Sequence, residues 1–194
     1  ALRETGLTVT DVAAVTGTPE MLDGRVKTLH PKIHGGILAD RDRETHRDDM
    51  ARHGIAGIDL VVVNLYAFEK TVARPGVTSA EAVENIDIGG PGMIRAAAKN
   101  HRHVVVITDP ARYDAVLAAL DLDGGVPRSL ARELAGEAFR RTADYDHAIA
   151  GWFEGNGAPG DGAGWPQTLN LHLTKERDLR YGENPHQTGA LYRD

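Results

Sequence analysis

The chain has 194 residues, of which 41% are hydrophobic and 26% charged, and this composition is sufficient to bury the core of a globular domain. Its net charge of −6 argues against broad nucleic-acid binding, and the absence of cysteine excludes disulfides, thiolate metal sites and cysteine nucleophiles. No apolar run approaches the about 20 residues that span a bilayer, so we expect no membrane partner, and the absence of cysteine fits a cytoplasmic protein.

The first polar motif is DGRVKTLHPKIHGGILADRD, residues 23–42, which concentrates basic and histidine side chains. His30 and His34 are four residues apart, as in some helical zinc sites, but the proline after His30 disfavours a helix there. Arg25 and Lys27 are two apart and would point to the same side of an extended segment, where they could hold an oxyanion or a carbonyl. The residues leave three interpretations open: a metal site, an anion site, or a solvated basic turn.

Two short apolar runs, LVVVNLY (60–66) and HVVVITD (103–109), predict strands buried on both faces, as in a parallel sheet. Helical sequences follow each run and carry start signals. These are Ser79 as an N-cap after the first run, and Asp109 as an N-cap before Pro110 after the second. Strands that alternate with helices at this spacing predict a layered α/β domain.

Polar side chains stand at the carboxyl end of the first predicted strand. Asn64 and Tyr66 occupy this position, where ligands bind in open α/β sheets, so we expect both side chains to face a cleft. The alternative is that Tyr66 only covers the edge of the core. The charged stretch 40–49 indicates a solvated helix face, and we assign it no function.

The sequence NIDIGGPGMIRAAAKN (85–100) places three glycines before a predicted helix. Free backbone N–H groups at a helix start favour negative charge or a polarised carbonyl, and Asp87 comes just before this turn. Lys99 lies on the helix that follows, with Arg95 on the same face. The alternatives are that the glycines serve close packing of the helix, that Asp87 is a cap, and that Lys99 is a solvated surface residue.

A long helix is predicted over residues 127–153, because Leu130, Leu134 and later inward residues recur every three or four positions. The glycine- and proline-rich stretch 154–167 indicates a linker. Residues 168–194 alternate apolar and polar residues before a turn, so we expect them to belong to a second domain.

Four motifs in this order, DGRVKTLHPKIHGGILA, LVVVNLYAF, NIDIGGPGMIRAAAKNH and LRYGENPHQ, closely resemble the bifunctional purine-biosynthesis family that combines IMP cyclohydrolase with AICAR transformylase. The resemblance implies that residues 1–153 form a methylglyoxal-synthase-like α/β domain, with a mainly parallel sheet flanked by helices. It implies that the first strand or strands and their phosphate-binding loops lie upstream. Residues 168–194 would then begin the transformylase domain. We therefore expect this chain alone to bind nucleotide weakly.

The resemblance also implies roles for individual residues. The positions that match the family's catalytic residues are Lys99, Asp87, Tyr66 and Lys27. Those that match its substrate-binding residues are Arg25, Thr28, Asn64, Ile88 and Gly89. Those that match its transformylase ribotide site are Arg180, Tyr181 and His186. No metal or cofactor is implied for the cyclohydrolase, 10-formyltetrahydrofolate is implied as co-substrate of the transformylase, and a homodimer is implied as the assembly.

The implied cyclohydrolase reaction closes formyl-AICAR to IMP with loss of water, and a lysine and an aspartate near one cleft could exchange its protons. The alternative is a non-catalytic nucleotide- or effector-binding module of the same fold, which has no need for a proton-transfer pair. A third interpretation, a histidine-based metallohydrolase, predicts stoichiometric bound metal.

Overall fold

The computed structural model describes residues 2–122, 125–155 and 173–193, and the chain divides into two compact units, Ala1–Glu154 and Gly155–Asp194. In the first unit the strands are β1 (Leu60–Val62) and β2 (Val105–Ile107). Its helices are α1 (Val12–Thr16), α2 (Pro31–Leu38), α3 (Glu44–His53), α4 (Phe68–Val72), α5 (Ser79–Glu84), α6 (Gly89–Lys99), α7 (Tyr113–Leu120) and α8 (Arg128–Phe153). Short 3-10 helices cover Leu2–Thr5, Leu22–Gly24 and Pro110–Arg112.

The two strands of the first unit pair in parallel, with Val61 opposite Val106, and the helices pack around them. This confirms the predicted α/β class with a parallel sheet flanked by helices. Both strands are shorter than the apolar runs that predicted them. The prediction of burial on both faces is wrong for β1, because Leu60 and Val62 are 40% and 45% exposed. Only Val61 of β1 is buried, whereas β2 lies against α6 and α8 and buries Val106 and Ile107.

The helix starts follow the expected capping chemistry with one shift of position. Thr78, and not Ser79, caps α5: its hydroxyl accepts from the Glu81 N–H at 3.2 Å, and the Glu81 carboxylate accepts from the Thr78 N–H at 2.9 Å. Asp109 caps as predicted, accepting from the Ala111 N–H at 2.9 Å, and the 3-10 turn that it starts leads into α7.

The main core forms between α6, α8 and β2. Small residues of α6 such as Ala97 allow α8 to approach closely, and the predicted inward stripe of α8 is buried at Leu134, Ala138, Thr142 and Tyr145. The long helix begins within one residue of its predicted start and ends at the predicted residue. The packed pair of helices α6 and α8 therefore forms the main structural support of the first unit.

The second unit contains a hairpin of two antiparallel strands, β3 (Thr174–Leu179) and β4 (Gly189–Arg193). The predicted linker, 154–167, lies outside the described residues except for its first two positions. The domain bounds predicted from the sequence stay a prediction. Among the described helices, none combines the length and the apolar character that crossing a membrane requires.

Candidate functional site

A cavity of about 620 Å³ lies where the chain leaves β1 and where α6 begins. Three segments line it: residues 20–28, residues 63–66 after β1, and residues 83–93 around the start of α6. Its volume falls in the range of small-molecule sites. The lining includes every residue proposed from the sequence for the cyclohydrolase site except Lys99, namely Arg25, Lys27, Thr28, Asn64, Tyr66, Asp87, Ile88 and Gly89.

The segment that carries Arg25 and Lys27 is a turn. It follows the 3-10 helix Leu22–Gly24, and Arg25 has φ −61° and ψ −24°, so the expectation of an extended segment is wrong. In the 3-10 helix before the turn, Leu22 and Asp23 have φ 51° and 53°, in the left-handed region that residues other than glycine rarely adopt. Such conformations concentrate at ligand sites, where the surrounding structure imposes them.

Both cations of this turn already have carboxylate partners. Arg25 pairs with Glu84 at the end of α5, and the Lys27 Nζ lies 3.3 Å from the Glu20 Oε2. The lining residues include four carboxylates, Glu20, Asp23, Glu84 and Asp87, against these two cations, so the net formal charge of the lining is −2. The net negative lining therefore does not favour a ligand whose only polar feature is negative charge. The interpretation of this region as a simple anion site is not supported. The set suits a polar ligand that can both donate and accept hydrogen bonds.

Asp87 is fixed against the first turn of α6. Its Oδ1 accepts from the Gly90 N–H at 2.7 Å, and the helix begins at Gly89, so the glycines lie inside the first turn and do not precede the helix as predicted. A Cβ on Gly90 would lie 2.8 Å from the Asp87 Cγ, so only glycine leaves room for this carboxylate. A Cβ on Gly89 would lie 2.7 Å from the Thr28 Oγ1, so this glycine lets two walls of the cleft meet.

The wall after β1 presents polar groups to solvent. Asn64 is exposed, and Tyr66 is 60% exposed. The Tyr66 carbonyl accepts from the Phe68 N–H at 2.8 Å, which joins this wall to the buried start of α4. Ile88, on the facing wall, is 63% exposed and offers an apolar surface beside these polar groups. An amphipathic, ring-shaped ligand fits such a combination.

The structure does not bring Lys99 to this cleft. Lys99 is the last residue of α6, ten residues after Gly89, which places it about 15 Å further along the helix. It lines a different cavity, of about 430 Å³, together with Arg43 and His103. The prediction that Lys99 and Asp87 face one cleft is therefore wrong in this structure. The catalytic role of Lys99 stays a prediction that rests on the family resemblance.

The two histidines of the opening motif contact the backbone. His30 caps α2, its Nδ1 accepting from the Lys32 N–H at 3.1 Å. Helix α2 was not predicted from the sequence; it starts at Pro31 and contains His34, while His30 lies outside it. The His34 Nδ1 lies 3.1 Å from the Thr28 carbonyl oxygen, so this imidazole supports the wall that carries Thr28. These contacts give both rings a structural role beside the cleft.

A different set of possible metal ligands converges among the described residues. Ligand atoms of Asp40, Asp42 and His103 lie within 4.8 Å of one another. However, the Arg43 Nε lies 3.1 Å from Asp40, and Arg102 lies 3.2 Å from Asp42. Burial opposes the charge of Asp40, but hydrogen bonds from the Asp42 backbone and from His103 outweigh it and lower its pKa. The two arginines balance the two carboxylates, so the group is an ion-pair network.

Sequence reasoning missed two kinds of site residue. Tyr145 of α8 donates to the Asn85 carbonyl and accepts from the Asp87 N–H, whereas its sequence position indicated only the core stripe. Glu20 and Glu84 pair with the cleft cations, and no local pattern marks either of them. The roles of Tyr145 and Glu84 depend on contacts between residues 58 and 59 positions apart, which helical periodicity does not encode, and that of Glu20 depends on how the turn to Lys27 folds.

The residues predicted for a transformylase site lie in the second unit. Arg180, Tyr181 and His186 are all exposed in the segment that joins β3 to β4. The segment is closed by the Gly182 N–H, which donates to the Gln187 carbonyl at 2.9 Å. The hairpin thus presents the three side chains near one another along the chain, and their ligand role stays a prediction.

Two family models together match nearly the whole chain. The family model described as "AICARFT/IMPCHase bienzyme" matches residues 97–194, and the model described as "MGS-like domain" matches residues 1–92. The two matches meet inside α6, although α6 belongs to the first compact unit throughout its length.

Curated relatives are named "Bifunctional purine biosynthesis protein PurH". The one from Magnetococcus marinus is 54% identical over 192 residues, covering 98% of this chain and 36% of the relative. The one from Rhodopirellula baltica is 53% identical over 193 residues, covering 100% of this chain and 36% of the relative. The chain thus spans little more than a third of their length. A solved structure titled "Crystal structure of ForH" is 42% identical with a TM-score of 0.71, and the match covers 81% of each chain.

Proposed function

The chain belongs to the AICARFT/IMPCHase bienzyme family, and on this premise we propose that the cleft between β1 and α6 is an IMP cyclohydrolase site. The observation that carries the proposal is convergence: residues from three separate segments, each matched to the family from sequence alone, line one cavity. The curated relatives that align with these residues are named as purine biosynthesis proteins. The substrate would be formyl-AICAR and the product IMP.

Ring closure is an intramolecular condensation. The carboxamide nitrogen attacks the formyl carbon, the carboxamide and formamide nitrogens each give up one proton, and the formyl oxygen leaves as water. Because both reacting groups belong to one molecule, holding them in contact supplies much of the rate. The protein must then accept a proton from nitrogen and donate hydrogen bonds to the oxygen as charge develops on it.

The groups in the cleft divide these tasks. The Asp87 carboxylate is held by its bond to the Gly90 N–H and accepts the proton from the attacking nitrogen. The Tyr66 hydroxyl and the Lys27 ammonium donate to the formyl oxygen on its way to water. Arg25, Thr28 and Asn64 bind the polar edge of the substrate, and Ile88 with Gly89 supports the face of its ring.

The remaining expectations concern the protein of full family length. We propose that Arg180, Tyr181 and His186 bind AICAR in a transformylase that takes its formyl group from 10-formyltetrahydrofolate. We also propose a cytoplasmic homodimer, which rests on the family resemblance alone. The match of the bienzyme model to residues 97–194 supports the first of these proposals.

Titration of the chain with IMP tests the cleft. Lys27→Ala and Asp87→Asn should each weaken IMP binding about fivefold to tenfold, the usual effect of losing one hydrogen bond. Lys99→Ala, which changes a lysine outside the cleft, is the matched control for Lys27→Ala and should leave the affinity within about twofold. If Lys27→Ala and Lys99→Ala weakened IMP binding equally, the proposal that IMP binds in this cleft would be contradicted.

Ring closure separates the enzyme from the binding module. It is followed with formyl-AICAR on the same residues within a full-length protein of the family, where Asp87→Asn should lower kcat about a hundredfold. IMP binding without any ring closure in the unsubstituted protein would favour the non-catalytic alternative. Loss of ring closure in Lys99→Ala with IMP binding intact would support the family-implied role of Lys99.

A further inference from the structure

We propose that Tyr145 of α8 is a positioning residue for this cleft: its buried hydroxyl fixes the backbone that carries Asp87, and its ring supports the wall that carries Tyr66. The inference rests on the proposed function, because it names a residue that orients the groups of that same site. Tyr145 is not among the residues that line the cleft, and it acts on the cleft through the backbone groups of Asn85 and Asp87.

The hydroxyl of Tyr145 bridges two backbone groups of one short segment. It accepts from the Asp87 N–H at 2.8 Å and donates to the Asn85 carbonyl at 3.3 Å, while Tyr145 itself is 0% exposed. Burial raises the pKa of this phenol, so it stays protonated and able to donate. The segment between α5 and α6 is thereby tied to a long helix some 58 residues further along the chain.

The ring of Tyr145 supports the opposite wall. It packs edge-to-face on Phe68 with centroids 6.3 Å apart, and Phe68 packs in the same way on Trp152 at 6.0 Å. Phe68 is fully buried at the start of α4, and its N–H donates to the Tyr66 carbonyl at 2.8 Å. One aromatic cluster, formed by Tyr145 and Trp152 of α8 with Phe68 of α4, therefore contacts the two walls that carry the proposed proton acceptor and a proposed proton donor.

Packing of the ring alone does not require this hydroxyl, since a phenylalanine would fill the same volume without burying a polar group. Here the hydroxyl hydrogen-bonds the Asn85 carbonyl and the Asp87 N–H, so it contacts the backbone of the residue that carries the cleft carboxylate. The arrangement sets the position of Asp87 from both of its ends, because Asp87 Oδ1 also bonds the Gly90 N–H.

The test compares Tyr145→Phe with Tyr113→Phe. Both remove one hydroxyl and keep the ring, and Tyr113 of α7 packs against Ile107, Val116 and Leu134 and is not among the residues that line the cleft. Amide hydrogen exchange is measured on the chain without ligand. Tyr145→Phe should speed exchange at Asp87 about tenfold, since its N–H loses its acceptor, and Tyr113→Phe should not. Unchanged exchange at Asp87 in Tyr145→Phe would overturn the inference.

Kinetics distinguish positioning from general support of the fold. With formyl-AICAR and the same residues in a full-length family protein, Tyr145→Phe should lower kcat about tenfold while KM changes less than about twofold. Faster exchange at Asp87 with kcat equal to that of Tyr113→Phe would refute the positioning role. Absence of ring closure in the unsubstituted protein would refute the proposed function together with the catalytic part of this inference, and the exchange result would still decide the anchoring of Asp87.

Discussion

Replacing Gly90 with alanine should displace the Asp87 carboxylate from its place in the cleft. The Cβ of Gly90 would lie 2.8 Å from the Asp87 Cγ and 3.0 Å from its Oδ1, well inside normal contact distance. The carboxylate must then swing away, which breaks its 2.7 Å hydrogen bond with the Gly90 N–H. This single change therefore tests both the helix start and the position of the proposed proton acceptor.

The expected loss follows from two opposing effects. A hydrogen bond to a carboxylate contributes about 1.5 to 3 kcal/mol. Alanine in place of glycine inside a helix returns about 0.5 to 1 kcal/mol, because it restricts the unfolded chain. The net destabilisation of Gly90→Ala should be about 1 to 2 kcal/mol, which lowers the melting temperature of a unit of this size by about 3 to 6 °C.

The matched control is Gly136→Ala in α8. A Cβ at Gly136 meets only the Arg140 Nη1, at 3.7 Å, which is ordinary contact, so this variant should gain the helix term alone. Circular dichroism at 222 nm follows unfolding of the helical first unit, and an IMP titration follows the cleft. Gly90→Ala should melt earlier and bind IMP more weakly, whereas Gly136→Ala should melt later. Equal stabilisation by both variants would refute the described contact between Gly90 and Asp87.

Three further predictions address the scaffold. Gly36→Ala should lower the free energy of unfolding by about 2 to 3 kcal/mol in urea denaturation, because its Cβ would press on the Ala56 carbonyl oxygen; an unchanged midpoint would contradict this packing. Arg112→Met should cost about 1 kcal/mol, and less in concentrated salt, because its guanidinium donates to two glutamates of α8 that raise its pKa; a loss independent of salt would refute the ionic cause. Hydrogen bonds from the Thr78 backbone and hydroxyl lower the pKa of Glu81 below its ordinary 4.5, so the ionised cap adds stability above that pH and loses it as the pH falls through the lowered value. Glu81→Gln keeps an acceptor without titrating and should lose less stability in acid; identical acid-denaturation curves in both proteins would contradict this.

Local sequence rules determined the framework of the first unit. The periodicity of residues 127–153 predicted α8 almost to its ends, because an amphipathic helix repeats its inward side chains at a fixed spacing. The aspartate–proline pair at 109–110 predicted the start before α7, since capping involves only neighbouring residues. The same locality explains the error at α5, where adjacent Thr78 and Ser79 carry equivalent hydroxyls and only the backbone path selects Thr78.

The sequence predicted most of the residues that line the cleft, but it did not predict how they are arranged. The family resemblance assigned Arg25, Asn64 and Asp87 to one site, because their motifs match the family in residue type, and all three line the cleft. The distance between Asp87 and Lys99 was decided by where α6 begins: a helix that starts at Gly89 carries the lysine to its far end.

The sequence by itself thus determined the fold class, the family and most of the residues around the cleft, because these depend on local patterns and on motif chemistry. The tertiary structure alone decided which carboxylates neutralise Arg25 and Lys27, that the opening histidines brace backbone, and that the Tyr145 hydroxyl reaches the Asp87 N–H. The Lys27 and His34 contacts depend on the path of a local turn, whereas Arg25–Glu84 and Tyr145–Asp87 join residues 59 and 58 positions apart, which no local pattern encodes. The packing of α8 against α6 and α4 brings the Tyr145 hydroxyl to the segment that carries Asp87.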